Sequence, residues 1–517
     1  MKQIDEWPMA TEADTLTLAR AAKPAAPEAG RALALVRALC EALEAEDVNY
    51  CHWKSNEAID RSASGENDLD LLVGRADVAQ FTAILGRLGF KYAAGRAHQQ
   101  MPGVSDYYGY DREADRVVHV HAHYQLVLGD DMTKNYRLPL EQPYLESARR
   151  AGLFRLPAPE FEYVVLVIRM VLKHCVPDAA LSLRGSVPRS AQRELAFLQA
   201  RINDAAVAAI LREHLPFVAP ELFARCLAAV SPGGSSLGAR LAAGRSLQRT
   251  LRAYARRPPL ADMTLKFWRL ARLVLRSRVL RLATRKRLGA GGAIIALVGG
   301  DGAGKSTAVG AAHAWLAKYF ETRTIHLGKP PQSWATRSIR AASLASRWLG
   351  ARLGRNWSMS AGLAADAPAF LRYLWLLRRV SVARDRYRAY CKARSFATNG
   401  GLVISDRFPL EQLRSMDGRQ GYRLGALAPG SRLIARLVAA EERYYRQILP
   451  PELLIVLRID PELAVQRRRE QAADMVRARN QEICDADWSQ TRAQIVDASR
   501  PQADVLATIK SLIWSQI

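Results

Sequence analysis

A chain of 517 residues, 49% of them hydrophobic, is long enough for about three domains with packed cores. Its net charge of +25 suits a phosphorylated ligand, nucleic acid or an acidic membrane surface. Its six scattered cysteines exclude a disulfide scaffold and a C-x-x-C zinc site, and suit a reducing cytoplasm. No run approaches ~18 apolar residues, so no spanning helix is expected. The opening MKQIDEWPMATEADT lacks the apolar core of a secretory leader.

Residues 1–30, rich in Ala, Pro and Glu, read as a loose tail. Residues 31–150 alternate helical and strand-like patterns. Within them, His52–Val78 contains Asp68-Leu69-Asp70 at the start of the apolar run LDLLV. Residues two apart in a strand share a face, so both carboxylates point into one site. Two hard carboxylates can hold a divalent metal over a nucleotide's phosphates; the bland alternative is a pair of surface acids. A second strand, Asp115–Leu126, carries His119, His121 and His123 on one face if extended. Aligned imidazoles are either metal ligands or polar packing on a strand face. With the polar pair Ser55-Asn56 upstream, residues of about 31–150 resemble the nucleotidyltransferase superfamily and its Gly-Ser…Asp-x-Asp pattern. Lys54 stands where that pattern has glycine. The resemblance implies metal on Asp68 and Asp70 and a third carboxylate from a neighbouring strand. The histidine strand offers none, which leaves open a domain that binds a nucleotide or sugar phosphate without turning it over.

Residues 151–245 read as helical, for example EFEYVVLVIRMVLKHC and DAAVAAILREHL. From 246 to 290 arginine and lysine recur, and Asp262 is the only acid. RRPP (Arg256–Pro259) interrupts the stretch and GAGG (Gly289–Gly292) ends it. It reads as a linker of one or two basic amphipathic helices. Lys266, Arg269, Arg272 and Arg276 fall on one stripe, and Arg278, Arg281 and Arg285 drift onto another. These are either solvated faces between domains or a surface for peripheral contact with an anionic membrane. Nucleic acid is not expected as a partner, since no nucleic-acid motif accompanies the charge.

The apolar run Ala293–Val298 leads into GGDGAGKST, and a helical pattern follows. Gly299, four residues, then Gly304-Lys305-Ser306 fits G-x-x-x-x-G-K-[ST] in the required strand–loop–helix context. Its glycines let backbone N–H groups converge on an anion, and the helix N-terminus adds partial positive charge. Gly299, Gly302, Ala303, Gly304, Lys305, Ser306 and Thr307 are the expected ATP-binding residues. Lys305 would reach the β- and γ-phosphates, and Ser306 would ligate Mg²⁺.

Downstream, Thr322–Pro331 reads as a second strand and turn, and Gly401–Pro409 as an apolar strand ending in Asp406-Arg407. The C-terminal ends of such strands are where open α/β sheets bind ligands. Asp406 could position Mg²⁺ or its water, and Arg407 could clamp a phosphoryl group. Pro451–Asp460 is another buried strand. The helix beginning at Pro461 carries Arg467, Arg468, Arg469, Arg477 and Arg479 in succession, a pattern suited to a lid.

Residues of about 291–517 resemble the thymidylate kinase family of P-loop nucleoside monophosphate kinases. GGDGAGKST, the Asp-Arg of ISDRF, ARDRYRAY (Ala383–Tyr390) and LLIVLRIDPELAVQRRRE carry the likeness. The resemblance implies a phosphate cradle at Gly302–Thr307, acceptor-hydroxyl contact by Asp301 and acceptor-phosphate binding by Arg407. It also implies a catalytic arginine in the lid, Arg477 or Arg479, because the loop itself has none. The family's polar run after D-R-[YF] is absent, and PLEQLRSMDGRQGYR follows instead. The segment between the loop and Asp406 also carries an arginine- and tryptophan-rich insertion around Trp334–Trp375.

The expected architecture is therefore α/β. A P-loop parallel sheet flanked by helices (291–517) is preceded by an α+β nucleotidyltransferase-like domain (31–150), a helical segment (151–245) and the basic linker (246–290). The expected activity is transfer of the ATP γ-phosphoryl group, with Mg²⁺, to a small nucleotide, thymidylate-like, or a sugar-phosphate acceptor. The expected location is cytoplasmic or peripheral to a membrane, and a homodimer stays open. Two other readings stay open: a nucleotidyltransferase with an ATP-sensing loop, and a non-catalytic ATP-gated assembly factor at a membrane surface.

Overall fold

The computed structural model describes residues 32–95, 100–101, 103–176, 187–233, 235–279, 285–352, 369–413, 418–420, 431–468, 470 and 472–517. The expected tail 1–30, Arg281 and Arg469 lie outside the described residues. The chain divides into two compact units. One is drawn from Met1–Ile84, Gly109–Leu126 and Leu138–Thr250, and the other from Leu85–Tyr108, Val127–Arg137 and Leu251–Ile517.

In the first unit, helix α1 (Ala34–Ala45) buries Val36, Leu39, Cys40 and Leu43, an i, i+3, i+4, i+7 stripe that faces the core. Strand β1 (Tyr50–His52) pairs antiparallel with β2 (Leu69–Val73), which pairs parallel with β3 (Arg116–His123). The β2–β3 register sets Leu69 beside Val120, Asp70 beside His121 and Leu72 beside His123. Helix α2 (Pro159–His174) starts at a proline, which sacrifices no needed N–H there, and is buried almost all round. Helices α3 (Arg189–Gln199), α4 (Asp204–His214), α5 (Pro220–Val230) and α6 (Leu237–Thr250) follow. Helix α6 runs through the boundary expected at 245/246, because no breaker occurs before Arg256–Pro259.

The second unit holds a five-stranded sheet of β4 (Ile294–Gly299), β5 (Thr322–His326), β6 (Leu402–Asp406), β7 (Leu453–Arg458) and β8 (Ala493–Asp497), in the order β5-β6-β4-β7-β8. Every pair in it is parallel. Strand β4 is central and every residue of it is buried, as an uninterrupted apolar run in a covered parallel sheet should be. The chain passes from β4 outward on one side to β5 and β6, then returns on the other side to β7 and β8. The C-terminal end of β4 is thus a topological switch point, where a crevice opens. Residues Arg287–Leu288, expected in the helical linker, instead form a short strand paired with Ala93 and Ala94.

The basic stripe requires a correction. Helix α7 (Pro259–Val274) forms as expected, but Lys266 is 2% exposed and sits 2.9 Å from Asp130 Oδ2. Arg269 donates to the Met132 carbonyl. This part of the stripe is therefore a packing face docked on the 130–132 turn, unavailable to a membrane. The open side carries Phe267, Trp268, Val274 and Leu275. Helical periodicity reveals which residues share a face, but not what lies opposite it. Among the described residues no helix is long and apolar enough to cross a membrane.

Candidate functional site

Strand β4 ends at Gly299, and helix α8 (Lys305–Leu316) begins six residues on, with Gly304 as a left-handed N-cap at φ +79°. No side chain caps that helix, so its first N–H groups remain available to a ligand. A side chain would have little room at two of the loop glycines. Gly302 has φ +85°, and a Cβ there would meet the Ala464 carbonyl at 2.9 Å; a Cβ on Gly300 would lie 1.9 Å from Asn480 Oδ1. Lys305 is 8% exposed and donates to the Gly300 carbonyl, so its ammonium curls over the loop it stems from. Burial pushes that ammonium down to about 8, opposed by the nearby Asp301 and Asp406 carboxylates.

Around the loop the structure gathers Asp301, Arg407 and Arg479. Arg479 Nη1 lies 2.5 Å from Asp301 Oδ2, and Arg407 Nη2 lies 3.6 Å from Asp301 Oδ1. Burial acts to raise the Asp301 carboxyl, but the Arg479 hydrogen bond and the charges of Lys305 and Arg407 outweigh it and hold it low. Arg407 follows β6 at φ +67°, an unusual conformation for a side-chain-bearing residue. It is pinned there by its own N–H on the Leu297 carbonyl and by Ser405 Oγ on its carbonyl. Asp406 ends β6 beside Leu297 in register, and its Oδ1 is buried with no hydrogen-bond partner among the described residues. Of the two candidate lid arginines only Arg479 reaches this cluster. Arg477 is held by Glu462 at 2.6 Å and Asp474 at 3.1 Å.

A cavity of about 360 Å³ adjoins the loop, lined by residues that include Gly302, Gly304, Thr307, Arg467, Arg500 and Gln502. Sequence reading missed Arg500 and Asn480. Arg500 lies just past β8, and that ligand edge would have flagged it had β8 been assigned. Asn480 donates to the Asp301 carbonyl at 2.9 Å and fastens helix α9 (Ala473–Asp485) to the loop, with no sequence signal to announce it. The Asp-Arg of ARDRYRAY is tied into the surrounding chain. Asp385 accepts from Thr336 Oγ1 at 2.6 Å and Ser333 N at 2.8 Å, and Arg386 donates to the Leu327 and Gly328 carbonyls.

In the first unit, the parallel register of β2 and β3 builds a ladder of acids and histidines. His119 Nδ1 lies 2.8 Å from Asp68 Oδ1, and His121 Nδ1 lies 3.1 Å from Asp70 Oδ1. His123 Nε2 is 3.4 Å from His121 Nδ1 and 3.9 Å from Asp70 Oδ1. Lys54, unremarked in the sequence except as a missing glycine, reaches Asp70 Oδ1 at 2.9 Å. Burial acts to raise the Asp70 carboxyl, but the Lys54 charge and the His121 hydrogen bond hold it far below the usual range. Asp68 is 55% exposed and Asp70 only 15%. The two carboxylates therefore hold different partners.

These features define a mixed α/β protein with a parallel sheet and flanking helices. No known protein family's profile matches the chain. It is similar to the uncharacterized ATP-binding protein YghR of Escherichia coli, in strain K12 and in O6:H1 (strain CFT073). The match is 27% identical over 219 residues, covering 41% of this chain and 83% of YghR.

Proposed function

We propose that the second unit binds ATP and transfers its γ-phosphoryl group to a small phosphorylated acceptor, a nucleotide or sugar phosphate, as a phosphotransferase of the thymidylate kinase-like class. The observation that carries the reading is the loop at the switch point, with Lys305 folded on the Gly300 carbonyl. A lysine held there needs only a short swing to reach a phosphate in the loop, while the left-handed Gly302 and Gly304 leave backbone N–H groups to converge on the anion. The ATP-binding name of YghR supports the first half of the reading. The gathering of Asp301, Arg407 and Arg479 supports the second, since phosphoryl transfer is served by positioning and by cations at the transferring group.

Magnesium fits the residues present. The Ser306 hydroxyl and Asp406 carboxylate form an all-oxygen donor set, and Asp406 Oδ1 is a buried acceptor with an unspent lone pair. Bound there, the ion would neutralise phosphate charge. Arg407, on its strained backbone, would hold the acceptor, and Arg479 would follow charge as it develops. The test is ADP release with Mg-ATP across a panel of nucleoside monophosphates and sugar phosphates. Acceptor-dependent ADP release that disappears in Lys305→Ala supports the reading. Pyrophosphate release, or ATP binding without turnover on any acceptor, overturns it.

A further inference from the structure

The ladder in the first unit resembles a metal-binding arrangement, but its chemistry is not that of two carboxylates holding magnesium. Asp68 is committed to His119, and His119 in turn stacks on His121 with ring centroids 5.8 Å apart. The atoms that converge are Asp70 Oδ1, His121 Nδ1 and His123 Nε2, at separations of 3.1, 3.4 and 3.9 Å. In a tetrahedral site with metal–ligand bonds of ~2.0–2.1 Å, neighbouring ligand atoms lie about 3.3 Å apart. Two of the three separations lie near that spacing, and a small side-chain rotation would bring the third, Asp70 Oδ1 to His123 Nε2, into such a coordination face.

We propose that Asp70, His121 and His123 form a binding site for a transition-metal dication of the zinc type. Two imidazoles and one carboxylate are a donor set for zinc and its neighbours in the first transition row, and a poor one for magnesium, which demands oxygen. Three protein ligands leave a fourth position for water or an anionic ligand, the arrangement of zinc sites that act on substrates. The ligands are held in place beforehand. His123 is 1% exposed and takes the edge of Trp53 at 4.9 Å. Trp53 is fixed by its own N–H on the Asp70 carbonyl and by the Tyr144 hydroxyl on its carbonyl. Asp70 and His121 stay partly exposed, at 15% and 22%, so an ion can reach them from solvent. Lys54 contacts the same carboxylate oxygen, and the ion would displace its ammonium from Oδ1.

The experiment uses the full chain, stripped with chelator and titrated calorimetrically with Zn²⁺ in the presence of excess Mg²⁺. One tight equivalent is expected, reduced at least tenfold by His121→Ala and by Asp70→Asn. Because either variant could perturb the sheet, the wild-type chain is also loaded with Co²⁺. Strong visible absorption of a low-coordinate, nitrogen-ligated ion, bleached by one equivalent of Zn²⁺, is the expected signature. Absence of a tight equivalent, displacement by Mg²⁺, a Co²⁺ spectrum of the weak octahedral type, or undiminished affinity in His121→Ala would each overturn the assignment.

Discussion

On the readings proposed above, the glycine loop and the aspartate–histidine ladder would both meet charged ligands, but from opposite materials. The loop is made of backbone. Its N–H groups, the left-handed Gly302 and Gly304, and the uncapped start of α8 all come from one short stretch of chain. The ladder is made of side chains on two strands, and exists only because β2 and β3 pair in the register that sets Asp70 beside His121. A one-residue slip would turn one strand's ligands to the other face of the sheet. A site made of backbone cannot be altered without straining the fold, whereas one made of side chains can be emptied while the sheet stays intact.

The strongest way to break this comparison is to remove the loop's one indispensable side chain. Lys305→Ala should cost at least ~100-fold in turnover, the scale of a lost charge-stabilising donor, and weaken ATP binding. Steady-state kinetics and calorimetry measure both, and unchanged turnover would refute the phosphotransferase reading. Next come the two arginines. Arg479→Ala, which strips Asp301 of its closest cation, should lower turnover by ~10-fold or more, while Arg477→Ala, already neutralised by Glu462 and exposed, should change it less than about twofold. Equal effects would mean that the lid rearranges before reaction.

Gly302→Ala tests the backbone itself. Its φ of +85° and the 2.9 Å approach to Ala464 should destabilise the second unit by ~1–3 kcal/mol in a denaturant titration. The pH dependence is smaller. In the free protein burial pushes Lys305 down to about 8. Phosphate binds the protonated ammonium and raises it again. ATP affinity should therefore be full below that value and weaken as pH rises through it, by at most about tenfold per unit. A flat profile across that range would remove Lys305 from the phosphates. The smallest effect belongs to the ladder. In chelator-treated protein, His121→Ala should leave stability within about 1 kcal/mol, since the ring is partly exposed and its removal opens onto solvent. A larger loss would mean that the ladder serves the sheet more than any ligand.

The sequence alone determined the loop. A contiguous motif flanked by a buried strand and a helix needs nothing from elsewhere in the chain, because its geometry is local and its ligands are mostly main-chain atoms. It also placed Asp406 at a strand end, and it put three histidines on one strand face. Tertiary structure decided everything that depended on what lies opposite. It set Arg479 rather than Arg477 beside Asp301 by the path of helix α9. It brought Asn480 to the loop, and it buried Lys266 against Asp130 where periodicity had suggested an open basic stripe. It also split the Asp68–Asp70 pair, giving one acid to His119 and the other to Lys54, His121 and His123. Period and spacing fix the direction of a side chain relative to its own backbone. Only the packing of distant segments fixes what that side chain meets, and for charged groups the partner decides the chemistry.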